Sequence, residues 1–444
     1  MSRTAYAPPR ITRHEQTIAN TFGTTVNTFT EDIDGIRVKE LARQYGSPVF
    51  VFSERTLRRQ IDRMRSAFQT RYPRVRFAWS YKTNYLDAIC SVFHQEGWDA
   101  EVVSDLEYAM ARRLGIPGSR IICNGAYKQP EWCRDAVRDG ALIQVDHGDE
   151  ISILNEVTAD RQKPLPVGMR VNLAVDTLGP MWNRFGFNME NGEALEAAVR
   201  ITACRGLRLT GLHCHLGTFI TMPQAYAESA RKLCTFARSL ESMLDRPIAF
   251  LNLGGGFPSG NSLMAQDGSF QEQEPDFATF AEAISSEVKN AFRDRNPLPE
   301  IVMESGRALV DDSGSLVATV VGTRRLSTGE RGIVIDAGVN ILYTAHWYFH
   351  RVVPTREVAG YAETTTIHGP LCMNIDTVRR AVPLAPVVPG DHIIIRPVGA
   401  YNVTQWMQFS QLRPAVVMIG MDGNSRVIRR RETIEDVKGP ECGA

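Results

Sequence analysis

A lysine at the end of an apolar strand is the first residue here that could do chemistry. In FAWSYKTN, Lys82 follows such a strand, and an amine held partly out of water there has its pKa lowered and can attack a carbonyl to form a Schiff base. Left in water, it is an ordinary surface cation. In LNLGGGFPSG, Gly254, Gly255 and Gly256 come directly after another strand, where the absence of side chains lets backbone N–H groups approach an anion. The pattern is neither a dinucleotide fingerprint nor a P-loop, so a plain tight turn is the competing reading. IVMESGRALV ends a strand in Glu304 with Arg307 three residues on. That pair could give a carboxylate to a ring nitrogen and a guanidinium to a phosphate, or form a surface salt bridge. In LHCHLGTF, His213 and His215 are separated by one residue and are expected to point to opposite faces, so that only one faces the site, and a zinc pair is set aside because no third ligand stands at metal spacing. His346 and His350 in HWYFH lack the glutamate of a zinc-binding H-E-x-x-H and read as packing.

Together these pieces ask for a cofactor with an aldehyde, a phosphate and a protonatable ring nitrogen, a description that pyridoxal 5′-phosphate meets. The elements that must position them follow a βα rhythm. Between about residues 48 and 310, β-rich runs alternate with helical patterns: PVFVFS then TLRRQIDRMRSAFQTR, VRFAWSYK then NYLDAICSVFHQEG, AEVVS then DLEYAMARRLG. Eight or nine strands over this length predict a (β/α)8 barrel, whose active sites lie at the C-terminal ends of the strands. After about Asp312 the pattern changes to strands separated by turns, as in SLVATVVGTRRL and AVVMIGMDG, which predicts an all-β second domain. The expected division is a barrel over 46–312 and a β domain over 313–444.

Composition narrows the function classes. Fifty Lys plus Arg against fifty Asp plus Glu leave no net field to attract nucleic acid or anionic lipid. Apolar runs such as Pro414 to Met421 stop after a strand's length, short of a membrane span. The charged, proline-containing start has no apolar core for a secretory signal, so a cytoplasmic protein is expected. Eight cysteines without a C-x-x-C pair read as reduced thiols.

From about Val49 to Met418 the order of these motifs resembles the fold-type III decarboxylases, the family of diaminopimelate and ornithine decarboxylases. The resemblance implies a pyridoxal-phosphate barrel joined to a C-terminal β domain, with residues 1–45 lending that domain a strand. It also implies a homodimer with active sites at the subunit interface. Position by position, it makes Lys82 the Schiff-base lysine, stacks His215 on the cofactor ring and leaves His213 structural. Thr218, standing where the family usually has serine, binds phosphate with Gly254, Gly255, Gly256 and Arg307, while Glu304 pairs with the ring nitrogen. Cys372 of HGPLCMNID, contributed from the partner subunit, donates the final proton, and Tyr401 of GAYNV touches phosphate or substrate. A carboxylate at Glu304 keeps the ring protonated and able to take up a carbanion's charge. Alanine racemase, which shares the barrel, has arginine there, so glutamate favours decarboxylation over racemisation.

Departures from the pattern concentrate on the substrate side chain. Met373 follows the cysteine where relatives that hold a distal ammonium have an acid, and Thr344, beside Tyr343 in LYTAH, stands where ornithine decarboxylase has an aspartate. Val339, Asn340 and Ile341 replace an expected arginine and proline, Glu101 replaces an aspartate, and Arg184 replaces a lysine. A buried ammonium without those acids would be unpaired at a cost of several kcal/mol. The expected substrate is therefore a neutral, acidic or conjugated amino acid, of the kind met in siderophore and other specialised-metabolite pathways. The competing readings are a diaminopimelate or basic-amino-acid decarboxylase, an amino-acid racemase, and a catalytically silent relative that binds a partner.

Overall fold

Apolar strands that each feed an amphipathic helix close into a barrel in the computed structural model, which describes residues 28–177, 182–264 and 276–442. The chain divides into two units, one comprising Leu57–Gly260 and Gln273–Val310, the other comprising the remaining segments. In the first, eight parallel strands run Val75–Ser80, Asp99–Val102, Ile121–Cys123, Leu142–Val145, Leu165–Asn172, Leu207–Cys214, Phe250–Asn252 and Glu300–Ser305. Each pairs with its neighbour in chain order, and Glu300–Ser305 returns to Val75–Ser80 with Glu304 opposite Ala78. This is a (β/α)8 barrel. Ala78, Ile122, Phe250 and Val302, from four of these strands, pack together as one buried cluster.

Local signals start the helices where the strands end. Ser104 caps Asp105–Arg113 by accepting the Glu107 N–H at 3.2 Å, and the Glu107 side chain reaches back to the Val103 N–H at 2.8 Å. Pro130 opens Pro130–Asp139, which stops at the left-handed Gly140. The polar residues stand at the C-terminal ends of these strands and in the turns that follow them.

The second unit is all-β apart from short helices. Its sheet runs Thr377–Leu384, Glu363–His368, Arg331–Ile335, Gly314–Arg325, Val49–Ser53, Ala415–Ile419, Ser425–Arg429. His392–Arg396 also pairs with Gly314–Arg325 and carries Arg351–Pro354. The helix Val38–Tyr45 lays Val38, Leu41 and Ala42 on Val49, Val51, Val317 and Val417.

One element differs from the sequence reading. Val49–Ser53, expected as the first barrel strand, instead lies antiparallel to Gly314–Val317 and parallel to Ala415–Ile419 in the β unit. Val49–Ser53 is thus a strand that the N-terminal side lends to that sheet, and none of the described residues of 1–45 joins it. All five of its residues are buried, as in a central strand of either sheet, so its pattern carries no information about its partner. The described part of 1–45 forms a two-residue hairpin, Asp32–Ile33 with Ile36–Arg37, and the helix Val38–Tyr45. Residues 1–27 lie outside the described residues. No helix among the described residues is long and apolar enough to cross a membrane.

Candidate active site

Six strand ends of the barrel deliver one continuous polar network. After Val75–Ser80 the chain turns through Tyr81–Thr83, and the Lys82 Nζ comes back to within 2.8 Å of both Ser80 Oγ and Glu101 Oε2. Strand register places Ser80 opposite Glu101, whose Oε2 accepts the Ser80 hydroxyl at 2.5 Å. Asn124, one residue beyond Ile121–Cys123, donates from Nδ2 to Glu101 Oε1 and to Glu304 Oε2, both at 2.9 Å. Asn252 donates to Glu304 Oε1 at 2.5 Å, and His213 Nε2 stands 3.3 Å from Glu304 Oε2. Glu101, Asn124, His213, Asn252 and Glu304 are all buried, whereas Lys82 is partly exposed.

The electrostatics suit a fixed anion at Glu304. Burial pushes its carboxyl up, but the His213 imidazole and the Asn252 amide outweigh this and hold it well below the usual carboxylate range. Burial, with the Arg170 and Lys82 charges, drives His215 far below its usual value, so its ring is neutral. His215 Nδ1 accepts the Gly255 N–H at 3.1 Å, which leaves the ring proton on Nε2. The Trp182 ring meets His215 edge-on at 5.6 Å.

The glycine turn is tighter than a free cradle. Gly254 and Gly256 have φ of 67° and 93°, and a Cβ at Gly255 would collide with the Glu304 carbonyl oxygen. Two of its amides are committed, Gly254 N–H to Asn252 Oδ1 at 2.9 Å and Gly255 N–H to His215. Gly256, packed on the Gly217 carbonyl, lies beside Thr218, and Arg307 Nη2 reaches Thr218 Oγ1 at 3.3 Å. Arg307, Thr218 and the Gly256 end of the turn thus form a polar corner that could hold an anion. With a buried carboxylate for a ring nitrogen and a strand-end amine, the donor set fits pyridoxal 5′-phosphate. Past Asn172 a polar cavity of about 480 Å³ is lined by Asp146, His147, Asn183 and Arg184. No group of three or more His, Cys, Asp or Glu among the described residues could hold a metal ion.

The remaining expected residues belong to the β unit. Cys372 is exposed and shares with Met373 the turn between Glu363–His368 and Thr377–Leu384. Asp376 clamps this turn by accepting the Val339 N–H at 2.8 Å and the Leu371 N–H at 2.7 Å. Tyr343 packs edge-on to Trp347, which in turn meets Tyr401, a residue with a left-handed φ of 62°. Thr344, expected beside the substrate, is buried: its hydroxyl donates to Asn402 Oδ1 and stands 2.9 Å from His350 Nε2. That hydroxyl is used inside the fold.

Sequence reasoning missed Asn124, Asn252 and Ser80, and took His213 for packing. Residues two apart in a strand share a face, so His213 and His215 both belong to this end of the barrel. The available signal was a polar residue closing an otherwise apolar strand, as in IICN and FLN.

The family model described as "Pyridoxal-dependent decarboxylase, pyridoxal binding domain" matches residues 55–311. Diaminopimelate decarboxylase of Actinosynnema pretiosum subsp. auranticum is 31% identical over 419 residues, 91% of each chain. That of Bacillus subtilis is 28% identical over 423 residues, covering 91% of this chain and 94% of the relative. The crystal structure of the Methanocaldococcus jannaschii diaminopimelate decarboxylase with L-lysine matches with a TM-score of 0.84 at 27% identity, over 93% of this chain and 96% of that one.

Proposed function

The chain belongs to the pyridoxal-dependent decarboxylases, and from that premise we propose that Lys82, Glu304 and Cys372 share the removal of CO2 from an amino acid whose side chain does not end in an ammonium group. Pyridoxal 5′-phosphate, when bound, supplies an aldehyde carbon for an amine and a ring that accepts the electron pair left as CO2 departs. Lys82 would hold that carbon, with Glu101 and Ser80 taking its amine proton. Glu304 would keep the ring nitrogen protonated, and the buried, amide-held Glu304 carboxylate is the observation that carries the reading. His215, neutral and oriented by Gly255, would cover one ring face, and Arg307, Thr218 and Gly256 would bind the phosphate. Cys372 would return a proton to the α-carbon. Its exposed position supports a contribution to the partner subunit's site within a homodimer.

Two observations support an atypical substrate. Met373 beside Cys372 offers no charge, and the Thr344 hydroxyl is spent on Asn402 and His350. Full-length similarity to diaminopimelate decarboxylases favours a second reading, diaminopimelate itself. Incubating the pyridoxal-phosphate-loaded protein with diaminopimelate, ornithine, lysine, glutamate, citrulline and citrate-conjugated diaminopropionate, and measuring CO2 and product mass, separates them. Turnover confined to the neutral, acidic or conjugated compounds is the expected outcome. Turnover of diaminopimelate or lysine would replace it with the second reading.

A further inference from the structure

Building on the roles given above to Lys82 and Glu304, we propose that Asn124 is a positioning residue. Its one side-chain nitrogen ties the carboxylate beside Lys82 to the carboxylate that serves the cofactor ring, and so holds both in place with a donor on each. Glu101 and Glu304 are 1% and 7% exposed, and buried carboxylates need hydrogen-bond donors in place of the water they have lost. Asn124 Nδ2 has two hydrogens and two acceptors at 2.9 Å, one on each acid. The reverse orientation of the amide would point its oxygen at two carboxylates, so the chemistry allows only this one. The backbone aims it: the Asn124 N–H continues the barrel ladder onto the Val102 carbonyl at 2.8 Å. Glu304 Oε2 has His213 at 3.3 Å besides Asn124, and its Oε1 has Asn252 at 2.5 Å; Glu101 Oε1 receives Asn124 while Oε2 serves Ser80 and Lys82. The result is one bonded chain from Lys82 to Glu304. Without Asn124, Glu304 keeps only the Asn252 amide on Oε1 and His213 beside Oε2, the link to Lys82 is cut, and a carboxyl with fewer donors holds charge on the ring nitrogen less firmly.

Asn124→Ala and Asn124→Asp, each made in the full chain and loaded with pyridoxal 5′-phosphate, test this. For the alanine variant kcat should fall about tenfold to a hundredfold with KM within about twofold. Its visible absorption should also change with pH across the neutral range, where that of the parent protein stays constant. The aspartate variant should show the same defect at high pH and move back towards the parent spectrum and rate as pH falls, because a protonated Asp regains one donor. That recovery is something a merely structural role would not produce. Parent-like spectra in both variants, with kcat within about twofold, overturn the proposal. If the alanine variant does not fold, the low-pH recovery decides alone: its presence supports the link and its absence overturns it. Borohydride reduction of the parent, followed by peptide mass mapping, keeps the two levels apart. A label away from Lys82 removes the underlying reading, whereas a label on Lys82 with unaltered Asn124 variants removes only this inference.

Discussion

At the scale of single residues, Cys372 is the proton donor under test. The turn that carries it is pinned at its base by Asp376, while the thiol itself is exposed. Cys372→Ala leaves the barrel residues that would hold the cofactor untouched, so pyridoxal-phosphate affinity should not change. Loss of a positioned general acid should lower kcat by about a hundredfold, read by CO2 release beside a cofactor titration. Full activity would end the assignment. The placement of the motif residues was largely legible because Lys82, Glu304 and Arg307 stand at strand ends, where chain direction alone sends them to one face of a barrel. Asn124 and Asn252 were not, because an asparagine after an apolar run looks like any turn residue until its partners from distant strands are known.

At the scale of elements, the start of the helix Asp105–Arg113 has a measurable titration. Glu107 accepts the Val103 N–H, and burial pushes its carboxyl from 4.5 up to about 7, against the Lys82 charge that lowers it. Above pH 4.5 the unfolded chain gives up this proton while the folded chain keeps it, so stability falls as pH rises, until about pH 7. The slope is about 1.4 kcal/mol per pH unit and the total about 3 kcal/mol. Glu107→Gln keeps an oxygen for the Val103 N–H and cannot ionise. Urea unfolding of the variant should lack this decline between pH 4.5 and 7, and an identical decline in both proteins would place the titration elsewhere. The cap itself is readable, since Ser104 and Glu107 stand at capping-box spacing. The burial that turns the glutamate into a near-neutral acid is not.

At the scale of the whole molecule, the strand Val49–Ser53 sits in the β unit between Gly314–Arg325 and Ala415–Ile419. Phe50 is fully buried there with its ring 5.6 Å from Trp406. Phe50→Ala should cost about 3–5 kcal/mol, seen as a lower urea midpoint, and an unchanged midpoint would mean that this strand is not part of that core. Sequence by itself determined the βα rhythm, the later change to strands and turns, and the order of Lys82, the triple glycine, Glu304 and Cys372. These rest on local periodicity and on the direction in which a strand enters its helix. Only the tertiary structure decided which sheet takes Val49–Ser53 and that His213 belongs to the network. Only it showed that the Thr344 hydroxyl is used internally and that Asn124 joins two acids. Each of these depends on a partner distant in the chain, and a side chain's chemistry leaves that partner open until packing and register bring the two together.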